Sequence, residues 1–258
     1  MISYSVVVPI FNEAGNIRCL YERLTATMKR IGSAYELIFV NDGSSDDSFM
    51  ILRDIALSNP TVKVINFDKN YGQHKAVVAG ILEAAGDYVI TIDADLQHPP
   101  EEIGKLLQKM REGFDMVSGY RRIRKDCLAR RFPAILTNWI ISLITGLRMK
   151  DYGSMLRVFK REVAQALARE FLKSDGYITM LVAKVTRNVA EVEVRHDERY
   201  AGRSKYNMRK LFIYFYRILF YYNDNIRALV KGIPDKPPFV IEKKVENEKE
   251  MVIPAEAG

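Results

Sequence analysis

Short β-branched runs alternate with stretches whose apolar residues recur every three to four positions, and the alternation runs from residue 5 to residue 120. SVVVPI opens it as a buried strand. Asn16 to Ile31 reads as a helix with Ile17, Leu20, Leu24, Met28 and Ile31 on one stripe. Glu36 to Val40 is a second strand, closed by the turn NDGSSD, and Ser45 to Leu57 returns as a helix. VKVINF is a third strand, His74 to Ala85 a helix, and DYVITID a fourth strand. Pro99 to Arg111 is a helix with proline at its start, where the missing N–H costs nothing. FDMVSGY is a further strand. Such order predicts an α/β fold, a mostly parallel sheet with helices on both faces.

The character changes after Tyr120. Arg121 to Arg131 carries six basic residues against Asp126, and an uncharged run, Phe132 to Leu147, follows. SMLRVFKR reads as a strand, Glu162 to Phe171 and Ile178 to Val185 as helices, and VAEVEVRH as a strand. A long aromatic helix is expected over about Met208 to Val230. The Pro-, Glu- and Lys-rich stretch 232–258 reads as a disordered tail. Three parts result: a catalytic domain over 1–205, an amphipathic helix over 206–231, and the polar tail. The net charge is +7, and since the tail carries −2 the rest carries +9, which suits an anionic partner. Cys19 and Cys127 have no zinc-type spacing, consistent with a reducing compartment. No signal peptide is visible, and no uncharged apolar run reaches the roughly 18 residues of a membrane span.

In an open parallel sheet, ligands sit beyond the carboxyl ends of the strands. The first strand is followed there by Phe11, Asn12 and Glu13, the second by Asp42 and Gly43, and the fourth by Asp93, Asp95, Gln97 and His98. Asp93 and Asp95, one residue apart, can converge on a hard divalent cation that also binds phosphate oxygens. The plainer alternatives are a solvated turn or a helix cap for the DAD acids, and turn chemistry for NDGSSD. His74, between a strand and a helix, reads as structural or as a donor contact beside Asn70 and Gln73.

PIFNE, VNDGSSDDS, DADLQHPPEEI, DYGSMLR and ERYAGRSKY, in this order, resemble the family-2 inverting glycosyltransferases of GT-A fold. More narrowly, the chain resembles their polyprenyl-phosphate branch, the dolichol-phosphate mannose synthases and undecaprenyl-phosphate sugar transferases, and NYGQHKAVVAG, DADLQHPPEEI and DYGSMLR resemble the 4-deoxy-4-formamido-L-arabinose transferases among them. The resemblance covers about residues 3 to 230. It implies a Rossmann-like GT-A sheet followed by amphipathic interfacial helices. It implies that Pro9, Phe11, Glu13, Asp42, Asp93, Gln73 and His74 line the donor site, and that Asp95 and Gln97 hold Mg²⁺ or Mn²⁺. It further implies catalytic roles for Asp95, Asp151 and Arg121. Arg121, Arg131, Ser154, Arg157, Arg199 and Lys205 are expected at the acceptor phosphate. Many relatives continue into transmembrane helices where this chain has its polar tail, so membrane contact is expected from interfacial helices at the cytoplasmic face.

A phosphate acceptor is already ionised near neutral pH and needs little general-base help, so the site is expected to supply cations instead. The plainer alternative for the basic stretch is a solvated loop or a headgroup patch. The two helix candidates divide between bilayer surface and core or dimer contact. The donor is expected to be a nucleotide-sugar, UDP-linked before GDP-linked, and the acceptor a polyprenyl phosphate at a membrane surface. Two alternatives are a same-fold enzyme with a glycan acceptor, whose QxxRW-type motif is missing here, and a non-catalytic nucleotide-sugar-binding protein. Nucleic acid is not expected, because the charge comes without a recognised motif. Assembly into a homo-oligomer is left open.

Overall fold

A computed structural model of the chain describes residues 2–121, 139, 141–174, 178–197, 239–246 and 249–253. Nine strands form one sheet in the order β7-β5-β6-β4-β1-β2-β3-β8-β9. They are β1 (Tyr4–Ile10), β2 (Tyr35–Asn41), β3 (Val62–Phe67), β4 (Tyr88–Thr91), β5 (Met116–Arg121), β6 (Arg157–Lys160), β7 (Val189–Val194), β8 (Ile241–Glu246) and β9 (Lys249–Val252). β1 pairs in parallel with β2 and β4, β2 with β3, and β5 with β7. Only β6 and β8 run against the rest. The carboxyl ends of β1, β2, β4, β5 and β7 therefore share one edge, and so does the start of β6.

The helices are α1 (Ala14–Ile31), α2 (Ser48–Ser58), α3 (Gln73–Glu83), α4 (Ile103–Met110), α5 (Arg161–Ser174) and α6 (Ile178–Val185). A 3₁₀ turn, Pro100–Glu102, precedes α4. Alternation along β1 divides the core: Val6, Val8 and Ile10 face α1, α2 and α4, whereas Val7 faces α3 and the α5–α6 pair. The α1 stripe is buried as its periodicity predicts; Ile17, Leu20, Leu24 and Met28 are fully inaccessible, each contributing roughly 1.5–3 kcal/mol. The helix ends at Gly32, whose φ of 81° lets its N–H reach the Met28 carbonyl at 3.2 Å. On the other face α3 lies so close to β1 that a β-carbon at Gly80 would meet the Val7 side chain.

Residues 232–258 do not behave as one disordered tail: 239–246 and 249–253 are ordered, and β8 and β9 extend the sheet past β3. Val245 is fully buried there, and Phe239 stacks on Phe67 with ring centroids 5.0 Å apart. Two apolar anchors plus ladder bonds outweigh the polar composition. The aromatic helix expected over 206–231 lies outside the described residues, as does most of the uncharged run. Residues 139 and 141–145 of that run are helical, with Ile141 and Leu147 in the core. Among the described residues no helix is long and apolar enough to cross a membrane.

Candidate active site

The turn after β1 is held by the turn after β2. Asn12 sits in the left-handed region, at φ 54°, and its side-chain oxygen accepts the Ser45 N–H at 2.7 Å. Its own N–H donates to Ser44 Oγ at 2.9 Å. The Glu13 N–H donates to Ser48 Oγ at 3.0 Å, and the Glu13 carboxylate accepts from Asn16 at 2.5 Å. Phe11 is half-buried at this turn. Pro9 is buried in β1 beyond the last β4 pair, Val7–Thr91, where a missing N–H is tolerated.

Asp42 is 2% exposed. Its carboxylate accepts the Tyr71 N–H at 2.7 Å, the Gly72 N–H at 2.9 Å and the Asn70 side-chain amide at 3.0 Å. It thereby ties the end of β2 to the loop before α3. Gly43 is required beside it: φ is 61°, and a β-carbon would collide with the Lys69–Asn70 backbone. Burial pushes the Asp42 carboxyl up to about 6, against the opposing pull of the Tyr71 and Gly72 N–H groups.

The same loop continues to the DAD acids. Gln73, exposed at the start of α3, donates to Asp93 Oδ1 at 2.5 Å. Asp95 is 8% exposed and accepts the Gln97 N–H at 3.1 Å. Between them and His98 stands Leu96 at φ 61°. Asn12 and Leu96 are the two non-glycine residues with positive φ among the described residues, and both lie on this rim. His74 follows Gln73; burial and then the Arg157 charge push its imidazole down to about 4, so it is neutral at pH 7.

Across from the DAD turn, Arg121 at the end of β5 forms a forked ion pair with Asp151, Nε to Oδ2 at 2.7 Å and Nη2 to Oδ1 at 3.1 Å. Asp151 also accepts the Gly153 N–H at 3.0 Å. Glu191 on β7 takes the Lys150 and Asp151 N–H groups, at 2.8 and 3.2 Å, and so fixes the turn from below. His98 lies within electrostatic reach of this pair. Burial, followed by the positive charge of Arg121, pushes its imidazole down to about 4. The His196 ring meets His98 edge-on at 5.5 Å, and the Asp197 N–H donates to the Gln97 carbonyl at 2.9 Å. The acids after β1, β2 and β4 and the Arg121–Asp151 pair thus share one connected rim.

Ser154 and Arg157 lie beneath that rim. Ser154 is fully buried and Arg157 is 1% exposed, its guanidinium donating to the Tyr152 carbonyl at 2.8 Å and to Thr179 Oγ1 at 3.3 Å. Both are closed to solvent in this conformation. A guanidinium with carbonyl and hydroxyl acceptors under a turn is a support for that turn. Arg131, Arg199 and Lys205 fall outside the described residues.

The sequence carried no signal for Glu191 or for the His98–His196 contact, because strand pairing and a chain return bring them in. Among the described residues no three His, Cys, Asp or Glu side chains are grouped to hold a metal. The donor set at the DAD turn is hard oxygen from one or two carboxylates. That fits a Mg²⁺-like ion completed by substrate phosphates and water better than an all-protein cage.

Residues 5–167 match the model of the family described as Glycosyl transferase family 2. The chain belongs to that family. Two curated relatives are undecaprenyl-phosphate 4-deoxy-4-formamido-L-arabinose transferases. The one from Shewanella sediminis is 41% identical over 80% of this chain and 62% of its own length. The one from Proteus mirabilis is 42% identical over 83% and 66%. The chain thus spans less than two thirds of the length of these relatives. Among solved structures, mannosyl-3-phosphoglycerate synthase from Rubrobacter xylanophilus superposes with a TM-score of 0.62 at 15% identity, covering 96% of this chain and 88% of that one. Glucosyl-3-phosphoglycerate synthase from Mycobacterium tuberculosis, in complex with Mn²⁺, UDP and phosphoglyceric acid, gives 0.60 at 18% identity, covering 96% and 89%. At these identities the likeness concerns the fold, which is GT-A-like.

Proposed function

We propose that this family-2 chain transfers a sugar from a nucleotide-sugar to a polyprenyl phosphate, with inversion, at a membrane surface. The observation that carries the reading is the single rim on which Asp42, Asp93 and Asp95 face the Arg121–Asp151 pair. The names of its curated relatives support the lipid phosphate, and undecaprenyl phosphate is the acceptor they point to.

In this reading the donor's nucleotide lies along Glu13, Asp42 and the 70–73 loop. Its diphosphate lies at Asp93, Asp95 and Gln97. A divalent cation, Mg²⁺ or Mn²⁺, held by Asp95 with Gln97, would neutralise charge building on the departing diphosphate. The acceptor phosphate oxygen attacks the anomeric carbon from the face opposite the leaving group. The new C–O bond forms as the bond to the diphosphate breaks, and the nucleoside diphosphate leaves with the electron pair. The attacking oxygen is ionised, so no side chain has to remove a proton. Asp151 fixes the Arg121 fork, and Arg121 meets the anionic acceptor.

Exposed Trp139 and Leu143, at 62% and 70%, support membrane contact next to the basic stretch that begins at Arg121. The test is incubation of the full chain with Mg²⁺ or Mn²⁺, undecaprenyl phosphate and a panel of UDP- and GDP-sugars, with glycolipid as the readout. Asp95→Ala is expected to lower product about 100-fold or more while the fold survives. Absence of glycolipid with every donor overturns the reading.

A further inference from the structure

His98 is 3% exposed, yet neither of its ring nitrogens has a hydrogen-bond partner among the described residues. Buried polar atoms are nearly always paired, so two unmet nitrogens on one ring call for a ligand or another explanation. The ring is also held in place. Pro99 and Pro100 follow it and restrict its backbone, Leu96 at φ 61° turns the chain into it, and His196 packs edge-on against it. It stands between the DAD turn and the Arg121–Asp151 pair.

We propose that His98 is a sugar-recognition residue, whose two ring nitrogens hydrogen-bond hydroxyls of the sugar carried by the nucleotide donor. This rests on the glycosyltransferase reading above. A neutral imidazole offers one donor and one acceptor in diverging directions, and a sugar carries several hydroxyls, each able to donate or to accept. Phosphate oxygens only accept, and would leave one nitrogen unmet. The location agrees: the diphosphate end of the donor belongs at Asp95 and the acceptor at Arg121, so the transferred group lies between them, beside this ring. His196 is the positioning residue that keeps the ring turned toward it.

The test separates the sugar from the nucleotide. The full chain, with Mg²⁺, is titrated calorimetrically with UDP and UDP-glucose and with GDP and GDP-mannose. The pair that binds is then used for the variants. His98→Phe keeps the ring volume and removes both nitrogens. It is expected to weaken the nucleotide-sugar about tenfold or more and leave the nucleoside diphosphate unchanged. His98→Gln restores a donor and an acceptor and is expected to recover most of the loss. Should the Phe variant fail to fold, as judged by thermal unfolding, His98→Leu takes its place. Equal losses for both ligands, no loss for either, or a Gln variant as weak as Phe overturns the assignment while nucleotide binding keeps the broader reading intact. A wild-type chain that binds none of the four ligands overturns both.

Discussion

Asp42 and Asp151 are buried acids on one rim, satisfied by different means. Asp151 has a guanidinium fork and Asp42 has mainly backbone N–H groups. Burial raises Asp42 to about 6, so it gains a proton on mild acidification. A protonated carboxyl accepts fewer N–H bonds, and the 70–72 loop should loosen. Nucleotide affinity is therefore expected to fall as pH drops through about 6, and Asp42→Asn should remove that inflection in a titration between pH 5 and 8. Stability linkage runs the other way for this group. Its folded value lies above its unfolded value, so the native state binds the extra proton between about 4 and 6, and Asp42 costs stability as pH rises across that window. His74 opposes it: lowered from 6.5 to about 4, it favours the fold above 6.5 and loses that contribution on acidification toward 4. Arg121→Ala removes the guanidinium fork from Asp151, whose side chain is 5% exposed. The expected cost is about 3 kcal/mol in chemical denaturation. Arg121→Lys keeps the charge but not the fork; it should regain most of that stability while product formation stays at least about tenfold down.

At the scale of elements, β1 to β4 and α1 to α4 were legible because each strand is a β-branched run between turn residues and each helix carries a buried stripe. The acids of the site were legible for the same reason, since they follow those strands. The direction of β6 was not: RVFK alternates no differently in an antiparallel pair, and only the returning chain sets its sense. The Arg121–Asp151 pair spans 30 residues, a separation that no local pattern encodes. The hairpin of β8 and β9 was misread because Lys and Glu dominate it. In the fold those charges are paired, Lys244 with Glu83 at 2.6 Å and Arg53 with Glu250 at 2.5 Å. Two routes lead from it to Asp42. Phe239 stacks on Phe67, which packs edge-on against Tyr71. Glu242 accepts from Asn66, whose carbonyl accepts from Asn41. Phe239→Ala is accordingly expected to cost about 2 kcal/mol and to weaken nucleotide binding several-fold. Unchanged affinity in a nucleotide titration well below the unfolding temperature would show that the hairpin caps the sheet edge and does no more.

For the whole molecule, the rim with the DAD acids and the outward-facing Trp139 and Leu143 have to serve one event if the acceptor is a lipid. Trp139 and Leu143 are four residues apart, so on one helical face, while Ile141 and Leu147 anchor the segment in the core. An apolar pair fixed to a rigid core can enter a bilayer surface without unfolding anything. The net charge of +7 adds attraction to anionic headgroups, which salt screens. Trp139 is the single tryptophan of the chain, so its emission reports directly on this contact. Vesicles containing phosphatidylglycerol are expected to shift that emission to shorter wavelength, and vesicles of phosphatidylcholine alone to do so less. Binding should weaken as salt rises, since the apolar pair by itself buries little area. Leu143→Asp should reduce vesicle binding about tenfold or more, because it places a charge in the apolar contact. The same variant should leave nucleotide affinity unchanged, since Leu143 is 70% exposed. Emission that stays constant across both vesicle types would detach Trp139 from the membrane and leave lipid access to a different surface.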